Sequence, residues 1–228
     1  MYTNVNLAAP IGVLLFLGTG FLLFVVGLAV TYSVIRKKVG LTWFSLIGMA
    51  AIAGLYLGLM LIFSFVSSDK VLARGQEKHF CEIDCHLAYS VTDVRETKTL
   101  GDPPHQVTAV GTFRVVTIQT RFDEATISST RGNGQLYPNS RVLAVIDETG
   151  KKYLPSAPGQ IALESSQGGG TPLTTPLQPS QTYATTFVFD LPADIQNPTL
   201  LIHEGEVVTR FIIGHENSPL HKNTRFQI

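Results

Sequence analysis

The residues best suited to chemistry lie together in "EKHFCEIDCHLAYSV", residues 77–91. Cys81 and Cys85 are the only two cysteines in the chain, and His79 and His86 are two of its six histidines. Glu82 and Asp84 stand between the thiols. Soft thiolates with imidazoles suit copper or zinc. Cys81-x3-Cys85-His86 is one residue longer than the C-x-x-C-H pattern that attaches haem c. Two thiols can also simply join as a disulfide, or they can pair with a partner subunit. Spacing restricts every reading in which they act together. A strand rises about 3.3 Å per residue, which would part the cysteines by about 13 Å. A disulfide needs Cα atoms within about 7 Å. Residues four apart on a helical turn lie about 6 Å apart. If the cysteines cooperate, "CEIDC" is therefore a turn, and the strand begins near His86 or Leu87.

The compartment of this turn follows from the rest of the chain. Residues Ile11–Ile35 and Val39–Val66 run for 25 and 28 positions without passing a charged side chain. About twenty apolar residues cross a bilayer, so two transmembrane helices are expected, over about 11–35 and 41–65. No Lys or Arg precedes the first, so it lacks the basic leader of a cleaved signal peptide, and a retained hairpin is expected. Arg36, Lys37 and Lys38 occupy the turn between the spans, and basic turns stay cytoplasmic. Tyr32 and Trp43 fall near that turn, where aromatic rings suit the interface. The N-terminus and everything after the hairpin are then outside. In a bacterial inner membrane that is the periplasm, an oxidising compartment that favours the Cys81–Cys85 disulfide.

The organisation expected is a hairpin over residues 1–66, a polar linker over 67–78 and a β-domain over 79–228. "HLAYSVTDV", "QVTAVGTFRVVTIQTRF", "RVLAVIDETGKKYLP", "TYATTFVFDLP", "TLLIHEGEVVTRFIIG" and "TRFQI" read as strands, with a bulge near Gly111 or Val116 and a turn at Glu148–Gly150. Gly- and Pro-rich loops separate them, and "PGQIALES" reads as one short helix. The fold class is mainly β: a two-helix anchor followed by a β-sandwich.

"TYATTFVFDLPADIQNPTLLI" resembles the closing hairpin of an immunoglobulin-like bacterial extracytoplasmic family of mostly unknown function. The resemblance implies an immunoglobulin-like sandwich and no particular activity. In topology alone, two spans with an outer N-terminus and an outer β-domain are also similar to subunit II of haem-copper oxidases. That subunit holds a two-copper centre in a Cys-x3-Cys loop. Here the loop opens the domain, and Tyr89 and Thr92 stand where the family places its His and Met. The electron-entry role is therefore not carried over.

Other histidines have plainer readings. His215 and His221, with Glu216, lie in "GHENSPLH", read as a solvated loop or as completing the cysteine site. His203 reads as the outward face of a strand, and His105 as an exposed turn. No G-x-S-x-G, H-E-x-x-H or phosphate loop is present, so no catalytic residues are assigned. Seventeen basic residues balance seventeen acidic ones, without the excess of a nucleic-acid protein. Ala50, Gly54 and Gly58 form a small-residue stripe for helix packing, against the first span or another membrane protein.

The role expected is a non-catalytic accessory or interaction subunit without a cofactor. Its partners are the lipid bilayer and other membrane or periplasmic subunits. The alternative is an electron-transfer or metal-handling subunit, with copper, zinc or haem c held by Cys81, Cys85, His86 and His79.

Overall fold

The computed structural model describes residues 2–3, 9–81, 85–124 and 132–228, with side chains from residue 11 onward. Glu82 and Asp84 lie outside the described residues. The chain divides into two units. One joins residues 5–68 to residues 207–222; the other joins 1–4, 69–206 and 223–228.

The first unit holds α1 (Ala9–Ile35) and α2 (Val39–Val66). Both are long and apolar enough to cross a membrane, and hardly any of either is buried within protein. Leu14, Leu17, Phe21 and Phe24 on α1 and Phe44, Ile47 and Leu55 on α2 are exposed. A soluble core helix would bury them. Hydroxyl groups near the turn find partners close by. Thr31 donates to the Gly27 carbonyl and Ser33 to that of Val30. Ser33 Oγ also meets Thr42 Oγ1 at 2.8 Å across the turn. Arg36 and Lys38 both lie over the Tyr32 ring, 5.9 Å from its centre. Where α1 meets α2, a Cβ on Gly27 would lie 3.8 Å from Met49 Cε. The small-residue stripe points elsewhere. Ala50 and Gly54 are exposed, and a Cβ at Gly54 or Gly58 would meet nothing within 4 Å.

The second unit is two five-stranded sheets. Its strands are β1 (Tyr2–Thr3), β2 (Lys70–Leu72), β3 (Lys78–Phe80), β4 (Leu87–Leu100), β5 (Val107–Phe122), β6 (Arg141–Ile146), β7 (Lys152–Tyr153), β8 (Thr182–Leu191), β9 (Thr199–Glu204) and β10 (Thr224–Gln227). One sheet runs β1-β3-β4-β5-β8 and the other β2-β10-β9-β6-β7. A single core lies between them. Tyr89, Val91, Val116, Ile118 and Phe189 from the first sheet pack with Leu143, Val145, Leu200, Ile202 and Phe226 from the second. Alternation along β5 explains the division. Val116 and Ile118 face this core, while Phe113 and Val115 face a smaller one under α3 (Ala157–Ser166) through Ala162 and Leu163. Ser156 caps α3, accepting from the Gly159 amide, with Pro158 in the first turn.

The irregularity expected near Gly111 is present. Thr97 pairs with Phe113 but Thr99 with Thr108, so β5 carries extra residues there. The Asp190 carboxylate accepts from the amides of both Val110 and Gly111, at 2.9 Å each. A Cβ on Gly111 would stand 1.9 Å from the Leu191 carbonyl oxygen. At Val116 the strand is regular; the second irregularity is on β4, at Thr92.

Two expectations change. The linker over residues 67–78 contributes β2, paired parallel to β10, and the start of β3. The long strand expected from Thr199 to Gly214 stops at Glu204. Residues 207–222 leave the sheet, open with a 3-10 helix (Val207–Phe211) and pack with the hairpin.

Candidate functional site

Register brings the chemistry-bearing residues together. His79 lies opposite Ala88, and Ala88 opposite Arg121, so the three share one line across β3, β4 and β5. Glu77 and Asp123 are two residues from His79 and Arg121, which puts all four side chains on one face. His79 Nε2 lies 2.7 Å from Asp123 Oδ2. Arg121 donates to both oxygens of Glu77, at 2.6 and 2.7 Å, and pairs with Asp123 at 3.2 Å. The guanidinium holds the Glu77 carboxyl below the ordinary carboxylate range, against a smaller opposing effect of burial. Hydrogen bonding to Glu77 in turn raises Arg121 further.

The cysteines are joined. Cys81 and Cys85 form a disulfide with Cα atoms 4.3 Å apart, and both are buried. His86 follows, buried and stacked on Phe122 with ring centres 5.1 Å apart. Its Nδ1 donates to the Asp123 carbonyl at 2.7 Å, and the Asp123 amide donates back to the His86 carbonyl at 2.6 Å. Asp123 thus gathers His79 through its side chain and His86 through its backbone. Beside it lies an open recess of about 320 Å³, lined by Arg121, Phe122, Asp123, Glu124 and Ser180.

The donor atoms of Glu77, His79 and Asp123 lie within 4.8 Å of one another, close enough to share a cation. The charge balance opposes this. The Arg121 guanidinium already occupies the space between the carboxylates, and a metal ion there would face it at contact distance. The oxidised cysteines offer no thiolate to a metal and no thiol to a haem vinyl group. As arranged, the four residues clamp β3 to the end of β5.

The other histidines lie apart from this cluster. His203 is half-buried on β9, with Nδ1 donating to the Glu204 carbonyl at 2.9 Å, and His105 is exposed in its turn. His215 and Glu216 are buried in the 207–222 segment, which corrects the solvated-loop reading. That segment coils on itself, and His215 Nδ1 accepts from the Asn217 amide at 3.0 Å.

A second polar group went unforeseen. Lys78 is completely buried between the sheets. Its ammonium donates to the carbonyls of Ile202 at 2.8 Å and Thr224 at 3.2 Å, and lies 4.7 Å from the centre of the Phe80 ring. Arg141 covers the same ring at 4.3 Å and pairs with buried Glu204 at 3.7 Å. Burial raises the Tyr89 hydroxyl above its usual value, with Arg141 opposing. A lysine closing a charged linker gives no sequence sign of burial.

No family model matches the chain, and no curated protein matches it. Three solved structures are similar. The secreted protein MPT63 of Mycobacterium tuberculosis is 10% identical, over 71% of this chain and 98% of that one, with a TM-score of 0.39. A conserved hypothetical protein of Bacillus anthracis is 14% identical, over 56% and 90%, with a TM-score of 0.38. The yjhA protein of Bacillus subtilis is 9% identical, over 68% and 98%, with a TM-score of 0.40. These likenesses are too loose to bear on function.

Proposed function

We propose that the protein is a non-catalytic accessory subunit of a bacterial inner-membrane complex. A two-helix hairpin anchors it, and its immunoglobulin-like β-sandwich works on the periplasmic side. The observation that carries this reading is the unburied apolar surface of both helices, joined by a basic turn, in a chain whose cysteines are oxidised. The disulfide fits an extracytoplasmic domain. The most concentrated polar cluster is spent on internal ion pairs, as a scaffold would use it. The outward stripe of Ala50, Gly54 and Gly58 leaves room for a partner helix.

Native electrophoresis of gently solubilised membranes tests the role. The protein is expected to migrate in an assembly well above its own 24.8 kDa. Replacing Gly54 and Gly58 by Ile should release it while leaving the hairpin folded, because a Cβ at either position would enter open space. A species of monomer size, indifferent to these changes, would contradict the role.

The metal-handling alternative now rests on Glu77, His79 and Asp123. Metal analysis with thiol titration separates the readings. The accessory reading expects no stoichiometric copper or zinc, no haem band, and two thiols only after reduction.

A further inference from the structure

We propose that residues 207–222 form a membrane-seated wedge at the outer boundary of the bilayer, with lipid as their partner. This rests on the anchor reading above and adds a second lipid contact remote in sequence from the hairpin.

Three observations point to it. The first is depth. About twenty residues span the hydrocarbon. Counted outward from the basic turn, that length ends at Gly58 on α2 and at Phe16 on α1. The segment meets the helices at this level. Tyr56 donates its hydroxyl to the Phe211 carbonyl. A Cβ on Gly12 would lie 2.8 Å from the Ile213 carbonyl oxygen, so only glycine admits the approach.

The second is backbone satisfaction. Near hydrocarbon, polar backbone groups need partners within the protein. The segment supplies its own in a repeating pattern. The amides of Ile212, His215, Ser218 and His221 donate to the carbonyls of Thr209, Ile212, His215 and Ser218, each three residues back. Ser218 Oγ also donates to the Ile212 carbonyl at 2.6 Å, and Asn217 Nδ2 to Thr209 Oγ1 at 2.8 Å.

The third is surface chemistry. Ile212 and Ile213 are buried, whereas Val207, Val208, Phe211 and Leu220 are exposed, Phe211 by 51%. Arg210 and Lys222 are exposed in the same segment, suited to lipid phosphates.

Tryptophan fluorescence of the full chain in phosphatidylcholine–phosphatidylglycerol vesicles tests the wedge. The only tryptophan, Trp43, is first replaced by Phe. Single tryptophans are then placed at Phe211, at Leu220 as an independent second position, at Phe24 within α1, and at Val110 on the β-domain, 97% exposed. Emission at 211 and 220 is expected to be quenched several-fold more by lipids brominated near the headgroup end of the acyl chain than by aqueous iodide. Phe24→Trp should respond most to bromine near the chain end, and Val110→Trp to iodide alone. Iodide quenching at 211 and 220 with lipid quenching at 24 would overturn the wedge and spare the anchor. Iodide quenching at 24 would overturn both.

Discussion

Lys78 illustrates what a single residue does in this fold. Its ammonium sits between the sheets and donates to carbonyls of β9 and of the start of β10. Replacing it with Met keeps the stem and removes the donor. Unmet buried carbonyls cost about 1–3 kcal/mol, so Lys78→Met should lower the unfolding free energy of the detergent-solubilised chain by that amount, read as a lower denaturant midpoint. An unchanged midpoint would show that the lysine is dispensable. Glu77 provides a pH test. Its carboxyl is held low in the fold, so the stabilisation is fully present above the unfolded value of about 4.3 and is lost as pH falls through the lower folded value. Thermal stability should drop on acidification below about pH 4.3. Arg121→Gln should lower stability at neutral pH and flatten that acid limb. An acid limb as steep as in the unaltered chain would show that the pair does not set it.

At the scale of elements, the β5 bulge is the tightest constraint. Gly111→Ala would drive a methyl group into the Leu191 carbonyl, and overpacking of this kind costs about 1–3 kcal/mol or more. Thermal unfolding is expected to shift accordingly; a neutral result would mean that the β5–β8 pairing is looser than described. Much of the element order was legible beforehand. Charge-free apolar runs mark α1 and α2, alternation marks β4, β5, β6 and β8, and "PGQIALES" marks α3. Spacing excluded an extended strand between Cys81 and Cys85 if they cooperate, and their Cα atoms are 4.3 Å apart. Residues 207–222 were not legible, because "VVTRFII" alternates as a strand would, and only tertiary packing separates the two outcomes. β1 and β2 are too short for any periodicity, and their parallel partners are distant in sequence. The Glu77–His79–Arg121–Asp123 cluster needed the register of three strands, so His79 alone was anticipated, on the strength of its proximity to the cysteines.

At the scale of the molecule, the proposal is that the apolar hairpin sits in lipid and the oxidised β-domain lies outside the membrane. Protease access tests that central claim most directly. A tobacco etch virus protease site placed in the exposed turn at Glu148–Gly150 leaves the sheet register intact. Protease added to intact spheroplasts is expected to cut the protein, with the hairpin fragment remaining in carbonate-washed membranes. Cleavage only after the membrane is opened, or release of the uncut chain by carbonate, would contradict the account.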